Sequence, residues 1–253
     1  MAIDVSASTI DHGVLNRLVP LERCANFRDV GGYETSDGHV VQWRRIFRSM
    51  TPEYMTREDV DLARSLGIRL VVDLRGRHIG TSGPIGEVPA RRVAVGGRRA
   101  LAPTEQALQE YIRMHPADAL PVVLERMGHA YARAASEIAN ESNPALVHCR
   151  LGKDRTGVFI AVLLRALGVQ ADDVIDEYML SGRYLAECKT ILAGREPPSG
   201  AFRTRIAKEA PRRSAIKRVL SVLEGNFGGA EAYLRHHGMR LKDVVSLRQR
   251  LLI

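Results

Sequence analysis

Between His148 and Gly157 the chain reads HCRLGKDRTG, which crowds a cysteine, a lysine, an aspartate, two arginines, a threonine and two glycines together. A strand ending at Cys149 and a helix starting near Arg155 leave a short turn that must wrap around something. The N–H groups of such a turn point inward, and unpaired donors at a helix N-terminus form an anion site. Gly152 and Gly157 allow the tight path and close packing. Arg155 adds a planar fork that matches two phosphate oxygens. The same donors favour the thiolate of Cys149. A thiolate at the bottom of an oxyanion cradle is placed for in-line attack on phosphorus, giving a cysteinyl-phosphate that water later hydrolyses.

A departing alkoxide needs a proton and the hydrolytic step needs a base. Asp154 is the nearest carboxyl, either as that acid or as an organiser that accepts loop N–H bonds. Lys153 offers a second cation for the reacting phosphate or for another phosphate on the same substrate. Thr156 either bonds the sulfur as it leaves or caps its own helix. His148 reads as an orienting neighbour. An HC pair alone carries little weight, but here strand, cysteine, glycine, arginine and apolar helix agree.

The surrounding elements place this junction. PALVHC (144–149) is an apolar strand, and VFIAVLLRALG (158–168) is an almost wholly apolar helix stopped by Gly168. Upstream, ANFRDVGGYETS is turn-rich and suits a sheet edge, and IFRS (46–49) reads as a short strand. Thr56 precedes a helical pattern ending at Gly67, and IRLVVDLR and RRVAV follow as strands. GGRRALAPTEQ reads as an exposed connection, followed by helices near 104–114 and 121–140, with Pro121 in the first turn of the second. From Asp172 only helical patterns remain, at 172–193, 212–224, 229–237 and 241–252, interrupted by EPPSG and by glycines. Alternating strands and helices indicate an α/β fold with a central, mostly parallel sheet flanked by helices, and a C-terminal helical extension. One domain is expected over 1–253, with an α/β core at 1–170 that carries the phosphate loop and an extension at 171–253.

Composition narrows the function. The 253 residues are 45% hydrophobic and 26% charged, which excludes disordered and fibrous classes. The net charge of +8 favours anionic ligands, but an aromatic content of 5% argues against nucleic acid. Cys24, Cys149 and Cys188 are an odd set without CxxC spacing, so neither a disulfide framework nor a zinc site is expected. No segment approaches membrane-spanning length and the start lacks a leader pattern, so a cytoplasmic protein is expected, with export lacking a recognisable signal left open.

HCRLGKDRTG resembles the HCxxGxxR[ST]G signature of cysteine-dependent tyrosine and dual-specificity phosphatases. With NFRDVGGY, IFRS, VVDLR and the closing FGGAEAYLRHHGMRLKDVVSLRQRLL, it is similar to a bacterial tyrosine phosphatase family over nearly the whole chain. That family has a secreted member active on phosphotyrosine, phosphoserine/threonine and phosphoinositides. The resemblance implies Cys149 as nucleophile and Arg155 as phosphate binder. It adds loop contacts from Arg150, Leu151, Gly152, Lys153, Asp154 and Thr156, with Asp154 an essential acid or loop organiser and Lys153 tied to inositol-lipid phosphates. Two departures stand out. Relatives often carry a glutamate four residues after the arginine of DLR, where this chain has Ile79. No aspartate lies between Glu87 and Pro116, where a relative's mobile segment offers an acid.

The expected function is hydrolysis of phosphomonoesters on phosphotyrosine proteins through a cysteinyl-phosphate, without metal or organic cofactor and with phosphate as product. The alternative is a phosphoinositide or inositol-phosphate phosphatase. A rhodanese-type sulfur transferase is disfavoured by the RTG after Asp154, and an idle phosphate-binding module by the intact Cys149 and Arg155. Asp29, Arg48, Asp73 and Arg75 either line the cleft or form structural ion pairs, the latter being the expectation. Cys24 and Cys188 read as packing residues, with reversible disulfide protection of Cys149 by Cys24 as a further reading.

Overall fold

A computed structural model describes residues 17–76, 84–193 and 210–253. The opening residues, Ile79 and the EPPSG break lie outside the described residues. Five strands form one sheet in the order β1-β2-β5-β3-β4, with β1 at Arg28–Asp29, β2 at Ile46–Ser49, β3 at Leu70–Asp73, β4 at Arg91–Ala94 and β5 at Ala145–His148. Only the β1–β2 pair is antiparallel. The turn-rich NFRD segment is therefore the sheet edge, and PALVHC supplies the middle strand.

Alternation along the strands builds two cores. Leu70, Val72, Ala145 and Val147 face one cluster, while Val71, Leu146 and Phe47 face the other. Eleven of the fourteen residues of the helix after the motif are buried. That helix must be apolar all round because it lies inside the first cluster, between the sheet and the C-terminal helices.

The helices are α1 (Arg57–Ser65), α2 (Arg98–Leu101), α3 (Glu105–Arg113), α4 (Pro116–Arg126), α5 (Gly128–Ala139), α6 (Asp154–Leu167), α7 (Ala171–Met179), α8 (Leu185–Leu192), α9 (Arg213–Phe227), α10 (Ala230–His236) and α11 (Leu241–Leu251). Thr56 starts α1 with a reciprocal capping box. Its Oγ1 accepts from Asp59 N, and Asp59 Oδ2 accepts from Thr56 N, both at 3.2 Å. Asp59 also accepts from Glu22 N at 2.7 Å and Arg23 N at 2.8 Å, so one carboxylate fixes both the helix and the entering chain.

Three expected elements differ. The connection at 96–106 contains the short helix α2, which is anchored because Leu101 and Ala102 are buried and Arg126 Nη1 donates to Leu101 O at 2.8 Å. The single helix expected at 121–140 is two, α4 and α5, broken at Met127. Pro121 lies inside α4 rather than in its first turn, because the chain is already helical from Pro116. Gly128 opens α5 with its backbone against the His237 ring, so the break serves close packing. The pattern at 172–193 likewise splits into α7 and α8 around a tight turn, Leu180–Gly182, which turns Ser181 into the interior.

Candidate active site

The parallel register aligns Ser49 of β2 and Asp73 of β3 with His148 of β5, so three strands end side by side beneath the loop that follows. Cys149 is the first residue of that loop and is 3% exposed. Asp154 is the first residue of α6, so the helix starts one residue earlier than expected.

The loop is held by its carbonyls. Arg150 O accepts from Thr51 N at 3.0 Å, Leu151 O from Asn26 Nδ2 at 3.0 Å, and Gly152 O from Arg48 Nη2. The partners all come from the N-terminal third of the chain. In a planar trans peptide the N–H points opposite to the C=O. Tying these three carbonyls outward therefore turns the amides of Leu151, Gly152 and Lys153 toward the inside of the loop. Gly152 has φ +65°, and a side chain there would collide with Ser49 O. A Cβ at Gly157 would sit 2.6 Å from the Tyr178 ring, so α6 approaches α7 only as glycine permits.

The cationic members follow. Arg155 Nη1 donates to Leu74 O at 3.3 Å, and Arg155 O accepts from Tyr131 Oη at 2.9 Å, which fixes the first turn of α6. Lys153 is 2% exposed, with Nζ 3.4 Å from Asp154 Oδ1. Asp154 keeps 18% of its side chain exposed and lies within electrostatic reach of Tyr111 and Tyr178. The Thr156 hydroxyl is buried with no hydrogen-bond partner among the described residues, so of its two readings the cap on its own helix is not made. His148 is pushed down by burial, against the opposing pull of Asp73 at 3.9 Å, which makes it a neutral neighbour.

The four residues that could line the cleft are structural ion pairs and caps. Asp29 accepts from Gly31 N at 2.8 Å and Arg44 N at 2.6 Å. Arg48 pairs with Glu177 at 2.6 Å. Arg75 pairs with Asp73 at 2.8 Å and Glu53 at 3.0 Å, and donates to Thr51 Oγ1 at 2.9 Å. Glu53 and Asp73 thus give Arg75 its carboxylates without a glutamate at position 79. All three cysteines are free and buried. Cys188 Sγ lies 3.9 Å from Leu151 O, and burial pushes its thiol up to about 12. Cys24 Sγ faces Met50 O at 3.8 Å and is also raised by burial.

Asn26, Thr51, Tyr131, Glu177 and Ser181 are the supporting residues that sequence reasoning missed. Asn26 alone left a signal, within NFRD. It adopts φ +59°, a left-handed conformation that asparagine tolerates better than most residues.

A cysteine at a strand end, a turn whose carbonyls are tied back and an arginine on the following helix form the arrangement that a phosphate-transfer site of the cysteine type requires. The family model described as tyrosine phosphatase family matches residues 19–253, and the chain belongs to that family of phosphoric monoester hydrolases. A tyrosine-protein phosphatase of Nostoc commune is 28% identical over 216 residues, covering 78% of this chain and 70% of its own. A protein of Cupriavidus necator named for the same activity is 28% identical over 229 residues, covering 83% and 80%. The triple specificity protein phosphatase PtpB of Mycobacterium tuberculosis is 24% identical over 273 residues, covering 90% and 96%. Phosphorylated substrates and phosphate as product follow from the family. Among the described residues no helix is long and apolar enough to cross a membrane.

Proposed function

We propose that Cys149 attacks the phosphorus of phosphotyrosine in proteins. The P–O bond to the tyrosine breaks as the S–P bond forms, and Asp154 gives its proton to the departing oxygen. The Leu151, Gly152 and Lys153 amides and the Arg155 fork receive the three non-bridging oxygens. Asp154, now a carboxylate, then takes a proton from the water that attacks the cysteinyl-phosphate, releasing phosphate and restoring the thiolate. The Thr156 hydroxyl, free of any cap, is available to the departing sulfur. The observation that carries this reading is the tethering of three successive loop carbonyls, which by peptide geometry turns the paired amides to the inside of the loop.

Phosphoinositides are the second substrate class. A lysine buried in the loop beside Asp154 favours a ligand with a further phosphate, and PtpB is named for more than one specificity. Residues 1–170 and 171–253 act as one catalytic unit in this reading, because Glu177 of the extension holds Arg48 beneath the loop. Three free, buried thiols suit a reducing compartment, and the cytoplasm is the place of action we assign.

Cys149→Ser removes the nucleophile, so release of phosphate from a phosphotyrosine peptide should vanish while phosphate binding by calorimetry remains. Asp154→Ala should lower kcat far more than it raises KM. Turnover by Cys149→Ser at the parent rate would overturn the mechanism. An unchanged kcat for Asp154→Ala would remove that residue from proton transfer. Rates on a phosphotyrosine peptide and on phosphoinositide vesicles, compared side by side, decide the substrate class.

A further inference from the structure

Beneath the loop lies a second charged centre that the reaction scheme leaves unused. Arg28 of β1 and Arg48 of β2 flank Glu177 of α7, at 1%, 0% and 2% exposure. Arg28 Nε donates to Glu177 Oε1 at 3.0 Å, and Arg48 Nη1 donates to Oε2 at 2.6 Å. Ser181 Oγ accepts from both guanidiniums, at 3.2 Å and 3.3 Å. Arg28 also reaches Asn26 Oδ1, and Arg48 reaches Gly152 O. The cluster thus grips two of the residues that shape the loop, since Asn26 itself holds Leu151 O.

Its charge does not balance. Burial, aided by the neighbouring Arg28, pulls the Arg48 guanidinium down to about 10, which leaves it cationic at neutral pH. Burial alone would push the Glu177 carboxyl up, but the Arg28 and Arg48 charges outweigh it and hold it below the ordinary carboxylate range. Two guanidiniums therefore share one carboxylate in a fully buried site, and Arg48 Nε has no hydrogen-bond partner among the described residues. A buried charge without a counter-charge is strongly disfavoured.

The groups around the cluster and the nucleophile narrow what can balance it. Arg17, stacked on Tyr33 and Trp43, is within electrostatic reach of Glu177 as well as of Asp29 and Asp173, and it brings a further cation rather than an anion. Tyr33 is held protonated by burial. Cys149 is within electrostatic reach of Arg48 from β2, Tyr111 from α3, Tyr131 from α5 and Cys188 from α8, and burial keeps the last three protonated. Asp154 lies against Lys153, whose Nζ is 3.4 Å from its Oδ1. Among the described residues, the sulfur of Cys149 is the acidic group left to face Arg48.

We propose that Arg28, Arg48 and Glu177 act as one positioning unit whose surplus positive charge is matched by the anion in the loop. Arg48 turns the Gly152 carbonyl outward and lends its charge to the Cys149 thiolate from behind, while Arg155 serves the substrate phosphate in front. This rests on the reading of Cys149 as the nucleophile.

The test is the pH dependence of Cys149 alkylation by iodoacetamide in phosphate-free buffer, followed by mass spectrometry. Circular dichroism checks that each variant is folded. Arg48→Met removes a positive charge, and the alkylation midpoint should move up by at least about one pH unit, a roughly tenfold slower reaction below it. Glu177→Gln leaves the cluster at a charge of +2, and the midpoint should move down. Arg48→Lys keeps the charge but loses the fork, so its midpoint should stay near the parent's while kcat on a phosphotyrosine peptide falls more than KM rises. A merely structural role would not send two variants in opposite directions. Midpoints that do not move, or that move together, overturn the proposal. If Arg48→Met does not fold, Glu177→Gln decides: no downward shift overturns the idea. Alkylation needs no substrate, so the two readings fail separately. Opposite shifts with no phosphate release would sink the phosphatase mechanism alone, and unmoved midpoints with normal phosphate release would sink this proposal alone.

Discussion

Two ion-pair clusters flank the middle strand at the level of His148, and their charge balance is opposite. On the β2 side, two arginines share the single carboxylate of Glu177. On the β3 side, Asp73 and Glu53 share the single guanidinium of Arg75. The first cluster joins residues more than a hundred positions apart and ends directly on the Gly152 carbonyl. The second lies within residues 53–75, keeps 19% of the Glu53 side chain in solvent, and reaches the loop one step removed. Arg75 holds the Thr51 hydroxyl, and the Thr51 amide holds Arg150 O. Both fix the same loop, but the β2 cluster is fully buried with a positive charge left over, whereas the β3 cluster is partly exposed with a negative one. On our proposal the β2 side tunes the chemistry of the loop, while the β3 side chiefly holds the loop's shape.

Breaking the β2 cluster should have the largest effect. Glu177→Ala strands two buried guanidiniums and should cost about 3 to 5 kcal/mol in urea unfolding. Displacement of Gly152 should also lower kcat of the remaining folded enzyme, by up to about a hundredfold. The same carboxylate sets an acid limit. Its folded value lies below its unfolded one, so its contribution is fully present above the unfolded value of about 4.3 and is lost as pH falls through the lower folded value. Unfolding midpoints of the parent should therefore fall below about pH 4, and Glu177→Gln should flatten that part of the curve.

On the β3 side the expected losses are smaller. Arg75→Met removes several charge-assisted hydrogen bonds and leaves Asp73 buried, at a cost of about 2 kcal/mol. The kcat of the folded protein should change far less than for Glu177→Ala. Equal losses of kcat from the two variants would erase the distinction between the clusters. Thr51→Val is the finest probe. It deletes only the hydroxyl under Arg75 and spares the amide on Arg150 O, so it should cost about 1 kcal/mol with turnover nearly unchanged.

Much of this was legible in the chain. The strand-turn-helix around Cys149 was readable because its parts are contiguous: an apolar strand, glycines where the turn is tight, and an apolar helix stopped by Gly168. The edge position of NFRD was readable from its turn residues. The breaks at Met127 and within 172–193 were not, because the periodicity of apolar residues runs through both. The interruptions serve contacts with His237 and with Arg28 and Arg48 that lie far away in sequence.

The linear order by itself determined the fold class and the strand-turn-helix that carries the candidate nucleophile Cys149 and Arg155, because backbone geometry and hydrophobic periodicity act over a few neighbouring residues. Only the tertiary structure decided that Arg48 serves the loop from behind, and that Glu177, which stands in an ordinary amphipathic helix, is its partner. Charge pairing in a buried site depends on distance in space and on the loss of solvent, and neither is written into the spacing of residues along the chain.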